Sequence, residues 1–127
     1  MLTSPVAITI GAQAYSLKLK NQDNFGSVYM DNTTVPGTEV RLDIKHAYEG
    51  KPKSVVTASG LAQTQFERHI CDLKVTVTDA NGLQKVTQSY THIRNLRGAN
   101  VGAVGDVAQA LSAFVTSKAD DIVAWES

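Results

Sequence analysis

Three histidines are the residues of this chain whose type and spacing could carry chemistry. His46, His69 and His92 are evenly spaced, and each lies in a segment with the alternating pattern of a β-strand. A metal site or an acid–base site would require their imidazoles to converge on one point. Strand alternation places His46 and His69 on the apolar side and His92 on the polar side. The sequence therefore predicts neither a metal site nor a catalytic site.

The other reactive groups give no stronger site. Cys71 is the single cysteine, which excludes an internal disulfide and leaves only pairing between chains open. It shares its parity with Leu73 and Val75, so we expect a small core residue and not a nucleophile. No phosphate-binding glycine motif is present, and no cofactor is expected. One alternative stays open, a small α+β enzyme that pairs His46 or His69 with an acid such as Glu67.

The polar side of the predicted sheet is the better candidate. Arg and Lys neutralise phosphates, Thr and His bond base edges or sugars, and an exposed Tyr stacks on an unpaired base. A flat sheet suits the splayed bases of single-stranded RNA. A tyrosine there could instead pack across strands, and an aspartate could only order its basic neighbours. The predicted RNA-binding residues are Arg41, Asp43, Lys45, Arg68, Lys74, Thr76, Gln88, Tyr90, His92 and Arg94.

The distribution of charge agrees with that choice. The formal net charge is zero, but residues 41–97 hold nine Lys or Arg against five Asp or Glu, a local excess of four. Affinity for a polyanion depends on local phosphate contacts and not on the total charge. The same excess would also suit an ordinary solvated sheet face.

The elements that position these residues form a meander. We predict short strands at residues 6–10, 15–20 and 27–30, a strand at 39–46, and two long strands within 66–94 folded about Asn81 and Gly82. Residues 48–65, rich in Gly, Pro, Lys, Ser and Thr, are predicted to form a long mobile loop. Apolar residues at helical spacing then predict a tail at 101–126, divided into two helices near Ser117.

The tail is predicted to cover the apolar side of the sheet. One helix of about 17 residues spans only roughly 25 Å. Pairing of two copies, with each tail across the partner's sheet, would complete the burial. We therefore expect an interlocked dimer with a continuous sheet, and an interface that contains Val107, Leu111, Phe114, Ile122 and Trp125.

Length and composition bound the rest. The 127 residues suit one domain, with a sheet at about 6–95 and the tail after it. Apolar residues make up 43% and aromatic residues 6%, which predicts an aliphatic core. Neither a signal peptide nor a membrane span is evident, so we expect a soluble chain made in the cytoplasm.

Several segments carry a family resemblance. They are Ala-Ile-Thr-Ile-Gly at 7–11, Val-Arg-Leu-Asp-Ile-Lys-His at 40–46, Phe-Glu-Arg-His at 66–69, Gln-Ser-Tyr-Thr-His-Ile-Arg at 88–94, Gly-Asp-Val-Ala-Gln-Ala-Leu at 105–111 and Ile-Val-Ala-Trp-Glu-Ser at 122–127. In order and length the chain resembles the coat proteins of single-stranded RNA bacteriophages, the leviviruses. Its last segments are most similar to coats of phages that infect Caulobacter.

The resemblance implies a fold and a function. The implied fold is α+β: an antiparallel meander of about five to six strands followed by two C-terminal helices, in a dimer. Such dimers assemble into an icosahedral virion shell, package genomic RNA on the inner sheet face, and repress replicase translation by binding an RNA hairpin. Arg41, Asp43 and Lys45 match an RNA-facing strand of the family, and Tyr90 and His92 match a pair on its last strand. No enzymatic role is implied.

The chain departs from this family in two loops. Residues 79–84 are shorter than the loop that many coats gather around the symmetry axes, and residues 48–65 are longer than usual. The longer loop would then take over those contacts. The alternative function is a stand-alone dimeric protein that binds single-stranded RNA without forming a shell.

Overall fold

The computed structural model describes residues 4–97 and 101–124, without the side chains of 101–103. Six strands follow one another as neighbours in one antiparallel sheet, and a helix follows the last strand. This confirms the predicted sheet and its order. The elements are β1 Val6–Ile10, β2 Gln13–Asp23, β3 Gly26–Asp31, β4 Thr38–Thr57, β5 Gly60–Thr78, β6 Gln84–Leu96 and α1 Val101–Val123.

The predicted loop at 48–65 is wrong. Beyond the bulge between Glu49 and Lys53, β4 and β5 keep pairing from Lys53 with Thr64 to Thr57 with Gly60. Pro52 lies in this bulge, where the missing N–H removes no ladder hydrogen bond. Residues 50–64 therefore form a two-stranded arm, which pairs with neither β3 nor β6. Gly50 and Pro52 are typical of loops, so the sequence predicted a loop here. A β-bulge can hold the same residues within a strand, and no sequence pattern distinguishes the two cases.

The predicted hairpin between the two long strands is confirmed. β5 and β6 join through residues 79–83, in which Gly82 has a φ of 82°. The Asp79 carboxylate accepts hydrogen bonds from the backbone N–H groups of Asn81 and Leu83, both at 2.9 Å. An aspartate that bonds backbone N–H groups beyond itself stabilises such a turn.

The predicted division of the tail into two helices is also wrong. α1 runs without a break over Val101–Val123. The Ser117 hydroxyl donates to the Phe114 carbonyl oxygen at 2.9 Å, a bond within the helix that does not cap a new one. Serine is found both as a helix N-cap and inside helices, so the sequence alone does not tell one helix from two.

The core lies on one face of the sheet. Leu17, Tyr29 and Val40 are completely or almost completely buried. Around them pack nine partly buried apolar side chains, from Val6, Ile8, Ile10, Tyr15, Leu19, Leu42, Ile44, Leu73 and Val75. We call this side of the sheet the apolar face.

Cover for this core comes from the sheet itself. β2 has a register shift between Leu19 and Asn21, and it approaches β4 closely although β3 lies between them in the strand order. β1 and the first half of β2 therefore curl over the apolar face. Part of the cover that was predicted for the helical tail thus comes from β1 and β2, and cover by the tail of a second copy stays a prediction.

Asp31 fixes this curled arrangement. Its buried carboxylate accepts hydrogen bonds from the backbone N–H groups of Ser16, Thr33 and Thr34, at 2.9 to 3.1 Å, and from the Thr34 hydroxyl. The hydroxyl of Thr34 contributes most to holding the pKa of Asp31 well below its ordinary value. One charged group thus ties β2 to β3 and to the loop after it.

Candidate nucleic-acid interface

All ten predicted RNA-binding residues lie on the face opposite the core. The register sets them in rows across β4, β5 and β6, because directly paired residues of an antiparallel sheet point to the same side. We call this surface the polar face. Its rows are Arg41, Lys74 and Gln88; Asp43, Asp72 and Tyr90; Lys45, Ile70 and His92; and Ala47, Arg68 and Arg94, with Thr76 one row beyond the first.

The polar face has the dimensions of a short stretch of nucleic acid. Three adjacent strands span roughly 10 Å, and four alternate positions along a strand span roughly 20 Å. The four rows hold five basic and two acidic side chains, Asp43 and Asp72. The surface therefore offers a positive field over several nucleotides.

The two acids of the second row are held by the first row. Arg41 Nε donates to Asp43 Oδ1 at 2.8 Å, and this contact raises the pKa of Arg41. Gln88 Nε2 lies 2.7 and 2.9 Å from the two oxygens of Asp72. The alternative role of these aspartates, ordering their basic neighbours, is thus visible for Asp43, whereas Asp72 holds the neutral amide of Gln88. Arg41, Asp43, Asp72, Lys74 and Gln88 line a recess of about 260 Å³.

Arg94 is also engaged within the chain. Its guanidinium donates to both carboxylate oxygens of Glu49, at 2.8 and 3.2 Å, and lies 3.4 Å from the centre of the Phe66 ring. The ion pair with Arg94 lowers the pKa of Glu49. A charge held in a two-point pair is less available to a phosphate than an unpaired one.

The lysines of the polar face, Lys45 and Lys74, are available to bind a phosphate. Neither forms an ion pair with any residue that the structure describes. Arg68 is exposed and lies near enough to Glu49 to lower its pKa, without a contact within 4 Å. Tyr90 is 69% exposed, so cross-strand packing does not bury its ring.

The predicted interface residues of the helix are exposed. The exposed fraction of Val107 is 72%, and those of Leu111 and Phe114 are both 57%. Ile122 is 49% exposed, and Trp125 lies outside the described residues. Within the described chain, α1 approaches only β6 to any extent, so its apolar stripe covers none of the core.

Two of the three histidines meet, and the third lies on the other face of the sheet. His92 lies on the polar face, as parity predicts, while His46 and His69 are directly paired on the apolar face, with their Nδ1 atoms 2.8 Å apart. Parity in one strand cannot reveal this contact, because it depends on the register between β4 and β5. No group of three or more His, Cys, Asp or Glu side chains within the described residues is arranged to hold a metal.

Two further features bear on function. Cys71 lies on the apolar face, as parity predicts, but it is exposed and the predicted core position is wrong. The atoms around its thiol still remove part of the surrounding water, and this desolvation raises the pKa of Cys71. In the part of the chain that the structure describes, no helix is long and apolar enough to cross a membrane.

Comparison with known protein families gives one match. The family described as "Phage phiCb5, coat protein" matches residues 3–96, which include all six strands. A solved structure titled "Virus-like particle of bacteriophage AVE019" is similar over 91% of this chain and 88% of that chain, with 13% sequence identity and a TM-score of 0.47. No curated protein sequence matches.

Proposed function

The chain belongs to the phage phiCb5 coat protein family, and on that premise we propose that its polar face packages single-stranded RNA inside a shell built from dimers of the chain. Membership gives the chain a structural role in a phage capsid. The observation that carries the RNA assignment is the rows of basic, amide and aromatic side chains across β4, β5 and β6.

Phosphate binding is assigned first to the unpaired cations. Lys45 and Lys74 lie two rows apart on the neighbouring strands β4 and β5, on the same face, and neither has to release a carboxylate before it binds a phosphate. Arg68 extends the same surface toward Arg94. Arg41 and Arg94 position their neighbours and contribute less, because each already has a carboxylate partner.

Base contacts are assigned to the second and third rows. The exposed ring of Tyr90 provides a stacking surface, and His92 lies on the same strand two residues away. Stacking of a base on an aromatic side chain contributes about 1–3 kcal/mol. Asp43, Thr76 and Gln88 offer hydrogen-bonding groups beside these rings and charges. The same surface would bind the RNA hairpin through which the dimer represses replicase translation.

Two exposed surfaces of the chain would form the dimer interface: the open edge of β6 and the apolar stripe of α1. β6 forms one edge of the sheet, and a long open edge normally pairs or is covered. Pairing of two β6 strands about a two-fold axis would make a continuous sheet and would carry each α1 toward the partner's apolar face. The exposed stripe of Val107, Leu111, Phe114 and Ile122 would then become buried, with Trp125 beyond it. The whole chain acts as one domain, is made in the host cytoplasm and ends in the virion.

Salt dependence of RNA binding tests the assignment. For the dimer and a single-stranded RNA, each phosphate contact contributes about 0.7 to the slope of log affinity against log salt concentration. Lys45→Ala and Lys74→Ala should each reduce the slope by about that amount, and the double variant by about twice as much. Lys85→Ala is the matched control, since Lys85 pairs with Val77 on the opposite face. Equal effects of Lys74→Ala and Lys85→Ala would contradict the polar-face assignment.

Particle size separates the proposed function from a stand-alone RNA-binding dimer. A coat protein forms uniform shells when it is expressed alone, and a stand-alone binder elutes as a dimer with RNA. An enzyme built on His69 and Glu67 would instead lose an activity in His69→Asn while its RNA binding stayed unchanged.

A further inference from the structure

The contact between His46 and His69 is not used by the proposed RNA-binding function. The two rings meet edge to face, with centroids 5.1 Å apart and an interplanar angle of 67°. Their Nδ1 atoms point at each other across 2.8 Å. Both side chains line a recess of about 160 Å³ together with Asn24, Phe25, Ala47, Tyr48 and Glu67. Two imidazole nitrogens therefore converge beside a space that a small ion can enter.

Glu67 prepares His69 for this arrangement. Its Oε2 lies 3.3 Å from His69 Nε2, and its Oε1 lies 3.6 Å from Arg97 Nε. A carboxylate at Nε2 favours the tautomer with the proton on that nitrogen, which leaves the lone pair of Nδ1 directed at His46. Metal-binding histidines are held in this way, with the outer ring nitrogen bonded to a carboxylate.

From this geometry we propose that His46 and His69 form a two-histidine site for a transition-metal ion such as Zn²⁺, Cu²⁺ or Ni²⁺. Imidazole suits these ions, whereas Mg²⁺ and Ca²⁺ prefer oxygen ligands. Tetrahedral zinc at 2.0–2.1 Å from each nitrogen places the two nitrogens about 3.3 Å apart. The two nitrogens must therefore separate by about half an ångström, and both rings must turn so that their lone pairs converge on the ion; the recess beside them is where the ion would lie.

Without a metal, one hydrogen bond joins the two rings. His46 Nδ1–H can donate to the lone pair of His69 Nδ1, which makes a neutral hydrogen bond. When an ion binds, the His46 proton moves from Nδ1 to Nε2 by exchange with solvent, so both imidazoles stay neutral and both Nδ1 lone pairs face the ion. Because the described chain supplies no third ligand, the other coordination positions go to water or to a group from a second copy. The ion is therefore exchangeable, unlike the fully enclosed metal of a four-ligand structural site.

Calorimetry with ZnCl₂ or NiCl₂ and the full-length, metal-stripped protein tests the site. We expect one ion per chain for the wild type. His46→Asn and His69→Asn should each weaken binding at least tenfold, since each removes one of two ligands, and Asn can still accept or donate a local hydrogen bond. His92→Asn is the matched control on the polar face and should leave the affinity unchanged.

Glu67→Gln tests the role of the carboxylate. It keeps both ligands, and loss of such a partner typically weakens metal affinity about 10- to 100-fold. CaCl₂ should produce no competing heat. The site would be disproved if the wild type bound neither metal, or if His92→Asn weakened binding as much as His69→Asn. Circular dichroism of each variant shows whether the sheet is intact, and the result does not depend on RNA binding or on shell formation.

Discussion

At the residue scale, the polar face depends on which side chains are free to bind a ligand. Arg41 and Arg94 look equivalent to Lys45 and Lys74 in the sequence, and strand parity places all four correctly on one face. The structure distinguishes them, because the two arginines form ion pairs with Asp43 and Glu49. Glu49 lies in the segment predicted to be a loop, so its pairing with Arg94 could not be inferred from the sequence.

Tyr90 gives a direct test of base stacking. Tyr90→Ala should weaken the affinity of the dimer for single-stranded RNA by about 5- to 150-fold, which corresponds to about 1–3 kcal/mol. Tyr90→Phe keeps the ring and should lose much less. Fluorescence anisotropy with a labelled RNA at fixed salt measures both variants. Equal affinities for the wild type and Tyr90→Ala would remove the ring from the interface.

Asp31 gives a stability prediction with a defined pH dependence. Its carboxylate has a lowered pKa, so its contribution is complete above the unfolded-state pKa near 3.9 and is lost as the pH falls toward the folded-state value. Asp31→Asn should reduce the free energy of unfolding at pH 7 by about 2 kcal/mol. The difference from the wild type should shrink below about pH 4.

Urea denaturation at pH 7 and pH 3 measures this difference. Asp106→Asn serves as the control, because Asp106 is exposed on α1. A loss for Asp31→Asn that is the same at both pH values would show that the charge of Asp31 is not the cause.

At the element scale, the arm formed by residues 50–64 should be less protected than the rest of the sheet. It consists of two strands with two open edges, and its cross-strand pair Val56 and Leu61 is 82% and 75% exposed. Isolated two-stranded hairpins are marginally stable in water. Hydrogen exchange should therefore be faster for amides of the arm than for Val40 to Ile44 of the same strand. Uniform protection along β4 would show that another chain covers the arm.

The helix gives the second prediction at this scale. Leu111→Ser and Phe114→Ser should shift the dimer toward monomers in sedimentation experiments, because each removes an apolar side chain from the proposed interface. Val123→Ser is the control: Val123 is 78% exposed and lies away from the stripe. An unchanged dimer in Leu111→Ser would show that α1 does not cover the partner.

The elements also show how far the sequence could be interpreted. Alternation in β4, β5 and β6 predicted both faces, because each strand has one side that must avoid water. The arm, the unbroken helix and the curl of β2 were missed. The arm and the curl of β2 depend on β-bulges, and the unbroken helix depends on whether Ser117 caps a helix or lies within one. Neither a bulge nor the role of a serine changes the periodicity of the sequence.

At the scale of the whole molecule, the exposed apolar surface is the main feature to explain. α1 exposes its stripe and β6 exposes its edge, while β1 and β2 cover only part of the apolar face. Large exposed apolar patches on a protein commonly mark interaction sites. Membership in a coat protein family accounts for them, because a capsid subunit meets further copies of itself.

The most direct test of the coat assignment is electron microscopy of the recombinant full-length protein, with the absorbance at 260 and 280 nm recorded on the same fraction. We predict uniform spherical particles that contain nucleic acid. The Lys45→Ala, Lys74→Ala double variant should assemble with less RNA. A small soluble dimer without particles, at both low and high salt, would contradict the assignment.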